Sequence, residues 1–214
     1  MENRKLQNKT RYLLSFIIGT IIFILAFMAV YSISYFEYQK ISNQQSDLAY
    51  SIFEDKISNS FFGRDICSDQ SYKEISEDLG FQGRIIDDLE RKFGKNDPRV
   101  LSRKKFYTLV LLEHFEFANN INKECGTNIH TILFFYSNKE EYSKESEDMG
   151  RILGYISEQH DDLVIYSFDV NLNSSLIDSV KEKYDINFPI ELVIDGKYNI
   201  EKLNNVDEIE KYLK

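Results

Sequence analysis

The side chains most able to take part in chemical reactions or bind metal ions are two cysteines, Cys67 and Cys125, and three histidines, His114, His130 and His160. Neither cysteine belongs to a Cys-x-x-Cys pair, the spacing that is typical of thiol redox sites. In an oxidising compartment an even number of cysteines favours a structural disulfide, while two buried free thiols, or a redox-active or intermolecular pair, remain open alternatives. The histidines lack the spacing of metal ligands, so we expect no metal site and no cofactor.

The amino-acid composition argues against one class of binding partner. The chain has 214 residues, is 43% hydrophobic and carries a formal net charge of -9 at pH 7. Nucleic-acid binding needs clustered lysines and arginines that displace phosphate counterions, so this acidic balance argues against a nucleic-acid partner. The length allows one medium domain or two small ones.

An uncharged apolar stretch near the N-terminus predicts a membrane anchor. Residues 12–36 contain no charged side chain, and a helix of that length, at about 1.5 Å per residue, spans the roughly 30 Å hydrocarbon core. Four basic residues precede it, so the positive-inside rule places residues 1–11 in the cytoplasm and the remainder outside. A cleaved signal peptide is the alternative, but its apolar region is normally shorter. We therefore expect a single-pass protein that contacts membrane lipid through this helix.

Residues 37–127 predict an extracytoplasmic helical region. Apolar residues recur at helical spacing after the membrane segment, which favours a stalk helix, and shorter helices broken near Gly80 and Gly83 are expected to follow. Asp97 is typical of an N-cap with Pro98 at the first helical position, and Gly126 is typical of a helix end. The apolar run FYTLVLL at 106–112 could form a strand, but its continuation in helical register favours a helix.

Residues 128–214 predict an α/β domain with the element order β-α-β-α-β-β-α. Strands are expected at 130–136, 163–168 and 190–194, and the third should turn at Asp195-Gly196 into a fourth. Helices with one apolar face separate them, with N-caps expected at Asn173 and Asn205. Strands that are apolar throughout belong at the centre of a sheet covered by helices on both faces.

This last segment resembles a thioredoxin-fold domain. Its first strand ends in FFYSN, similar to the strand that leads into the active-site loop of that family. The stretch YDINFPIELVIDGK, at 184–197, resembles the family's proline, apolar strand and glycine-containing hairpin, and a final helix closes the domain as the family's does. With its anchor and helical region, the whole chain is similar to membrane-tethered thioredoxin-like proteins of archaea. The resemblance implies an α/β fold class with an N-terminal transmembrane helix, a helical stalk region and a C-terminal thioredoxin-like fold.

The chain departs from this family at the position where its redox-active members do their chemistry. When Tyr142 is aligned with the family's aromatic residue, Ser143 and Ser146 occupy the two positions of the Cys-x-x-Cys motif. A serine cannot form a disulfide, so thiol-disulfide exchange is excluded at these positions. No motif ties a histidine base to Ser143, so we assign no catalytic residue and expect Ser143 to cap the helix.

The resemblance also implies a groove for a polypeptide. Pro189 corresponds to the family's cis-proline, and Phe188 and Pro189 would lie opposite Tyr142 and Ser143 as an apolar shelf. An extended segment could add to this shelf by main-chain hydrogen bonds. The peptide-binding groove is therefore expected at these four residues.

The leading functional hypothesis is a membrane-anchored, redox-inactive domain that binds another envelope protein or a peptide on the extracytoplasmic side. On this hypothesis the protein is not an enzyme. Two alternatives remain open. One is a thiol-disulfide oxidoreductase that uses Cys67 and Cys125, and the other is a structural subunit of a membrane assembly.

Overall fold

A computed structural model describes residues 2–62, 67, 69–201, 203 and 206–213. The elements in chain order are α1 (Glu2–Phe62), α2 (Asp69–Phe93), α3 (Pro98–Cys125), β1 (His130–Tyr136), α4 (Glu140–Ser157), β2 (Leu163–Asp169), α5 (Ser175–Lys183), β3 (Glu191–Ile194), β4 (Tyr198–Ile200) and α6 (Asp207–Glu210). The chain divides into two units, Met1–Ser46 and Asp47–Lys214.

The first unit lies within α1. In the part of the chain that the structure describes, one helix, Arg11–Lys40, is long and apolar enough to cross a membrane. Its large apolar side chains from Tyr12 to Phe36 are exposed, as expected for a surface that lipid covers. The length and composition predicted for the anchor are confirmed, while its orientation stays a prediction. Helix α1 continues to Phe62, and the side chains of the predicted stalk face lie outside the described residues.

The second unit contains a four-stranded sheet with the order β2-β1-β3-β4. Strand β1 pairs in parallel with β2 along its whole length and antiparallel with β3, and β3 pairs antiparallel with β4. The predicted order of strands and helices is confirmed. The predicted bounds of β1 are correct, whereas β2 is one residue longer than expected and β3 begins at Glu191.

Helices cover the sheet on both faces because side chains alternate along each strand. In β1, Leu133 and Phe135 pack in one buried cluster with side chains of α3 and α5. Their neighbours Ile132 and Phe134 pack in the other cluster, with side chains of α4 and α6. The central position predicted for the apolar strands is therefore correct for β1 and β3 and wrong for β2, which lies at an edge of the sheet.

Helix α3 begins and ends as predicted. Asp97 is its N-cap and accepts from the backbone N–H of Arg99, Pro98 occupies the first turn, and Gly126 adopts the left-handed conformation just past the end. The breaks predicted near Gly80 and Gly83 are wrong, because α2 is continuous through both. Gly83 instead allows close packing, since a Cβ there would lie 3.1 Å from the hydroxyl of Tyr107.

The other turn and cap predictions have mixed outcomes. The hairpin between β3 and β4 turns at Asp195 and Gly196, whose φ angles of 50° and 64° are the left-handed values that such a turn requires. The N-cap of α5 is Ser174 and not Asn173, so that prediction is wrong by one residue. The predicted cap Asn205 lies outside the described residues.

Candidate functional site

The loops that follow β1 and β2 meet because the carboxyl ends of parallel strands lie at the same edge of a sheet. The Ser137 hydroxyl donates to Asn171 Oδ1 over 2.7 Å, and the backbone N–H of Asn138 donates to the same oxygen over 3.0 Å. The Asn138 amide also donates to Asp169 Oδ2 over 2.8 Å. This network fixes the loop that leads from β1 into α4.

Ser146 holds that loop from inside α4. Its buried hydroxyl accepts from the backbone N–H of Ser137 over 3.1 Å and donates to the Ser137 carbonyl over 3.0 Å. One hydroxyl therefore satisfies two buried backbone groups, which would otherwise be costly to leave unpaired. The position has a structural task that needs a small donor and acceptor.

Ser143 does not cap α4, contrary to the sequence prediction. The N-cap is Lys139, and Ser143 lies inside the helix, where its backbone N–H donates to the Lys139 carbonyl over 2.8 Å. The capping prediction fails because the helix begins at Glu140, one turn before the expected start. A reactive side chain gains most from the helix dipole in the first turn, so residue 143 lies beyond the favoured place.

The Ser143 hydroxyl accepts a hydrogen bond from Lys95. The Lys95 ammonium lies 3.0 Å from Ser143 Oγ and forms an ion pair with Glu147 at 3.2 Å. In this contact Lys95 is the hydrogen-bond donor and the Ser143 oxygen is the acceptor. The Ser143 hydroxyl donates to Glu147 Oε1 over 3.5 Å, which is too long a contact to place that carboxylate as an activating base.

A cavity of about 650 Å³ opens at this position. Ser143 and Ser146 both contribute to its wall, together with Tyr136, Lys95 and Glu147. Tyr142, Phe188 and Pro189 are not part of that wall. The structure thus brings the two serines of the predicted site into one cavity and leaves the other three residues of the site outside it.

The predicted cis-proline is trans. All peptide bonds of the described residues are trans, including the one between Phe188 and Pro189. A carboxylate stabilises the turn without a cis bond, because Glu191 Oε2 accepts from the backbone N–H groups of Asn187 (3.1 Å) and Phe188 (3.3 Å). The two main-chain donors beside the proline are therefore already occupied.

Phe188 remains accessible beside this turn. Its side chain is 47% exposed, a high value for a phenylalanine outside the anchor, while Pro189 is half-buried. Tyr142 is half-buried and packs against the cluster on the α4 face of the sheet. Of the predicted groove residues, Phe188 offers the largest free apolar surface.

A buried ion cluster, which shares Glu90 with the wall of the cavity at Ser143, was not predicted from the sequence. The Lys104 ammonium of α3 contacts Glu90 Oε1 of α2 over 2.8 Å and the carboxylate of Asp169 at the end of β2. All three side chains are largely buried. The cluster ties two helices to the sheet. Lys104 lies about two helical turns before Leu111 and therefore falls on the apolar face of α3. A charged residue on an apolar face is the sequence feature from which the cluster could have been predicted.

The charges around Lys104 set its ionisation. Burial alone would lower the pKa of its ammonium. The surrounding Tyr136, Asp169 and Glu90 outweigh burial, so the pKa lies above its ordinary value. Burial raises the pKa of the Tyr136 phenol more strongly than Lys104 lowers it. The surroundings of Lys104 therefore favour the charged form of its side chain.

Cys67 and Cys125 form a disulfide, as favoured by the sequence analysis. Their Cα atoms are 5.4 Å apart and 58 positions separate them in sequence. Cys67 is exposed and Cys125 half-buried, and neither contributes to the wall of the cavity at Ser143. The bond joins the segment before α2 to the end of α3.

Two of the histidines have structural partners. His114 is fully buried and its Nδ1 lies 2.8 Å from the Tyr166 hydroxyl, while His130 Nδ1 lies 2.9 Å from Asp195 Oδ2. Among the described residues no group of three histidine, cysteine or acidic side chains is arranged to hold a metal ion. No chemistry beyond hydrogen bonding is assigned to them.

Comparison with known proteins gives no relative, since no protein-family model, no curated protein and no solved structure matches the chain.

Proposed function

We propose that this chain is a single-pass membrane protein whose extracytoplasmic part carries a redox-inactive, thioredoxin-like domain that binds a polypeptide partner. The sheet order β2-β1-β3-β4, with one parallel and two antiparallel pairings, supports the proposed fold. So does the alternation of strands and helices from β1 to α6. The four basic residues before the anchor support the proposed orientation.

The absence of thiols at α4 supports a binding role over catalysis. Both cysteines of the chain are joined to each other away from this helix. Ser146 is occupied by the backbone of Ser137, and Ser143 accepts from the charged Lys95. The residues near the carboxyl ends of β1 and β2 therefore offer a surface for contact with a partner and no activated nucleophile.

The observation that carries the proposal is the accessible ring of Phe188 on a turn fixed by Glu191. Because Glu191 already satisfies the N–H of Phe188, the partner would be held here mainly by apolar contact with Phe188 and Pro189. A rigid turn loses little conformational freedom when a partner binds. The proposed ligand is an extended segment with an apolar side chain, exposed on another envelope protein.

Binding to an unfolded polypeptide tests this proposal. The full chain in lipid nanodiscs would be titrated with fluorescently labelled, reduced and carboxymethylated lactalbumin, which is permanently unfolded. Phe188→Ala should weaken binding about fivefold or more, as truncation of a contact aromatic typically does. Tyr198→Ala is the matched control, because Tyr198 is 49% exposed against 47% for Phe188. Equal affinity of both variants and the wild type would contradict a role for Phe188.

Labelling of intact cells tests the proposed orientation. A membrane-impermeant amine reagent should modify the exposed Lys105 and Lys197 in intact cells. The exposed Lys9, on the other side of the anchor, should react only after the membrane is permeabilised. The reverse pattern would overturn the orientation, and mass spectrometry of the labelled peptides distinguishes the two.

A further inference from the structure

The outer edge of β2 carries backbone groups that have no partner among the described residues. Residues of a parallel strand direct their N–H and C=O alternately to one side and the other. The N–H of Val170 donates to the carbonyl of Tyr136 over 2.9 Å, so the even-numbered residues at β2 face β1. The N–H and C=O of Ile165 and Ser167 therefore point away from the sheet. Within the described residues they have no hydrogen-bond partner.

Helix α2 flanks this edge without pairing with it. Leu79 and Gly80 of α2 and the residues Leu163–Tyr166 of β2 line one cavity of about 730 Å³. A smaller cavity of about 130 Å³ continues along the strand and is lined by Ile165 and Ser167. A helix uses its own backbone groups internally, so α2 shields the edge from one side and leaves its donors and acceptors available.

The larger cavity is acidic. Among the residues whose side chains the structure describes, the exposed Glu77, Asp161 and Asp162 contribute to its wall together with His160, and no lysine or arginine does. Such a surface attracts a cationic segment and repels an anionic one. A second copy of this chain, with its net charge of -9, is disfavoured as the occupant.

We propose that the outer edge of β2 is a binding site for an extended, basic segment of a partner protein, which adds as a strand beside Leu163–Ser167. Main-chain hydrogen bonds to Ile165 and Ser167 would supply the pairing. Lysine or arginine side chains of the partner would lie near Glu77, Asp161 and Asp162. Alternate side chains of an added strand point to opposite faces, so a segment that alternates basic and apolar residues fits this edge. This site is independent of the surface at Phe188.

Synthetic peptides test the pairing and the charge preference. The probes are three labelled, end-capped octapeptides: alternating lysine and valine, alternating glutamate and valine, and the lysine peptide with alternate backbone nitrogens methylated. With the full chain in nanodiscs, the lysine peptide should bind at least about tenfold more tightly than the other two. Loss of the charge preference, or undiminished binding of the methylated peptide, would overturn the proposal, as would no binding of any peptide.

Variants of the chain locate the site. Ser167→Pro removes the outward N–H but no hydrogen bond to β1, and proline is tolerated at such edge positions. It should weaken binding of the lysine peptide about tenfold while the unfolding midpoint stays near that of the wild type. Glu77→Gln with Asp161→Asn and Asp162→Asn should weaken it similarly. Asp178→Asn, which removes an exposed charge on α5, should leave it unchanged.

A second measurement keeps the proposal testable if Ser167→Pro unfolds the domain. Addition of the lysine peptide to the wild type should slow hydrogen exchange of the Ile165 and Ser167 amides, because both become hydrogen-bonded. Unchanged exchange at both amides would contradict strand addition. Sedimentation of the free protein tests whether a second copy of the chain occupies the edge instead. A dimer in the wild type that Ser167→Pro dissociates would overturn the assignment to a partner protein.

Discussion

Ser143 and Ser146 lie on the same helix, but their hydroxyls meet different surroundings. Ser146 is buried and bonded to both backbone groups of Ser137, whereas Ser143 is half-buried beside the ammonium of Lys95. We expect Ser146→Ala to lower the free energy of unfolding by about 1–3 kcal/mol, because it leaves the buried N–H of Ser137 unpaired.

The matched variant is Ser143→Ala, which should change stability by less than about 0.5 kcal/mol. Urea unfolding of the full chain, followed by the near-ultraviolet circular dichroism of its tyrosines, measures both. The chain has no tryptophan, so the tyrosines carry this signal. Similar losses in the two variants would contradict the assignment of the structural role to Ser146 alone.

Asp97 links the stability of α3 to pH. Hydrogen bonds from the side chain and then the backbone of Arg99 lower its pKa from 3.8 to about 2. A carboxyl whose pKa is lowered on folding stabilises the fold above its unfolded pKa and loses that contribution as the pH falls through its folded pKa. The stability difference between the wild type and Asp97→Ala should therefore be constant above pH 3.8 and shrink towards pH 2. Urea midpoints across this range test it, and a difference that grows on acidification would contradict the ion pair.

Lys104 joins three secondary-structure elements. Its ammonium compensates Glu90 on α2 and Asp169 at the end of β2, and the three side chains are largely buried. Lys104→Met should lower the free energy of unfolding by about 3–5 kcal/mol, because removal of one partner leaves buried carboxylates uncompensated. Lys105→Met, at the adjacent exposed position, should be close to neutral. Equal urea midpoints for the two variants would contradict a stabilising role of the buried ion cluster.

Some of the elements were predictable from a local rule. The bounds of α3 follow from the cap at Asp97 and the left-handed Gly126, and β1 follows from an uninterrupted apolar run. The breaks predicted near Gly83 fail because tertiary packing against Tyr107 outweighs the weak helix propensity of glycine.

The site was less predictable than the elements because its contacts join residues far apart in sequence. Lys104 meets Asp169 across 65 positions, and no spacing rule connects them. The start of α4 depends on the loop network around Ser137 and Asn171, which places the helix one turn earlier than the serine pattern indicated. The cis bond at Pro189 was inferred from resemblance, and the carboxylate of Glu191 that stabilises the trans turn carries no sequence signal of its own.

At the scale of the molecule, the disulfide constrains the helical half of the second unit. It closes a loop of 58 positions between Cys67 and Cys125. By chain-entropy arguments a loop of that size contributes about 4 kcal/mol, so Cys67→Ser with Cys125→Ser should lower the unfolding free energy by about 2–4 kcal/mol. Urea midpoints measure the loss. Unchanged stability, together with rapid reduction of the native bond by mild dithiol, would favour the oxidoreductase alternative.

The position of α2 beside the outer edge of β2 has a consequence for aggregation of the protein when its disulfide does not form. In a reducing compartment the bond at Cys67 does not form, and α2 is then held beside the edge by non-covalent contacts alone. When α2 moves away, the edge loses its shield on that side, and an exposed strand edge is a template for the growth of aggregates. We expect chains synthesised in a reducing compartment to form insoluble inclusions. Light scattering of the wild type with and without dithiothreitol should rise only in the reduced sample, and Ser167→Pro should suppress that rise.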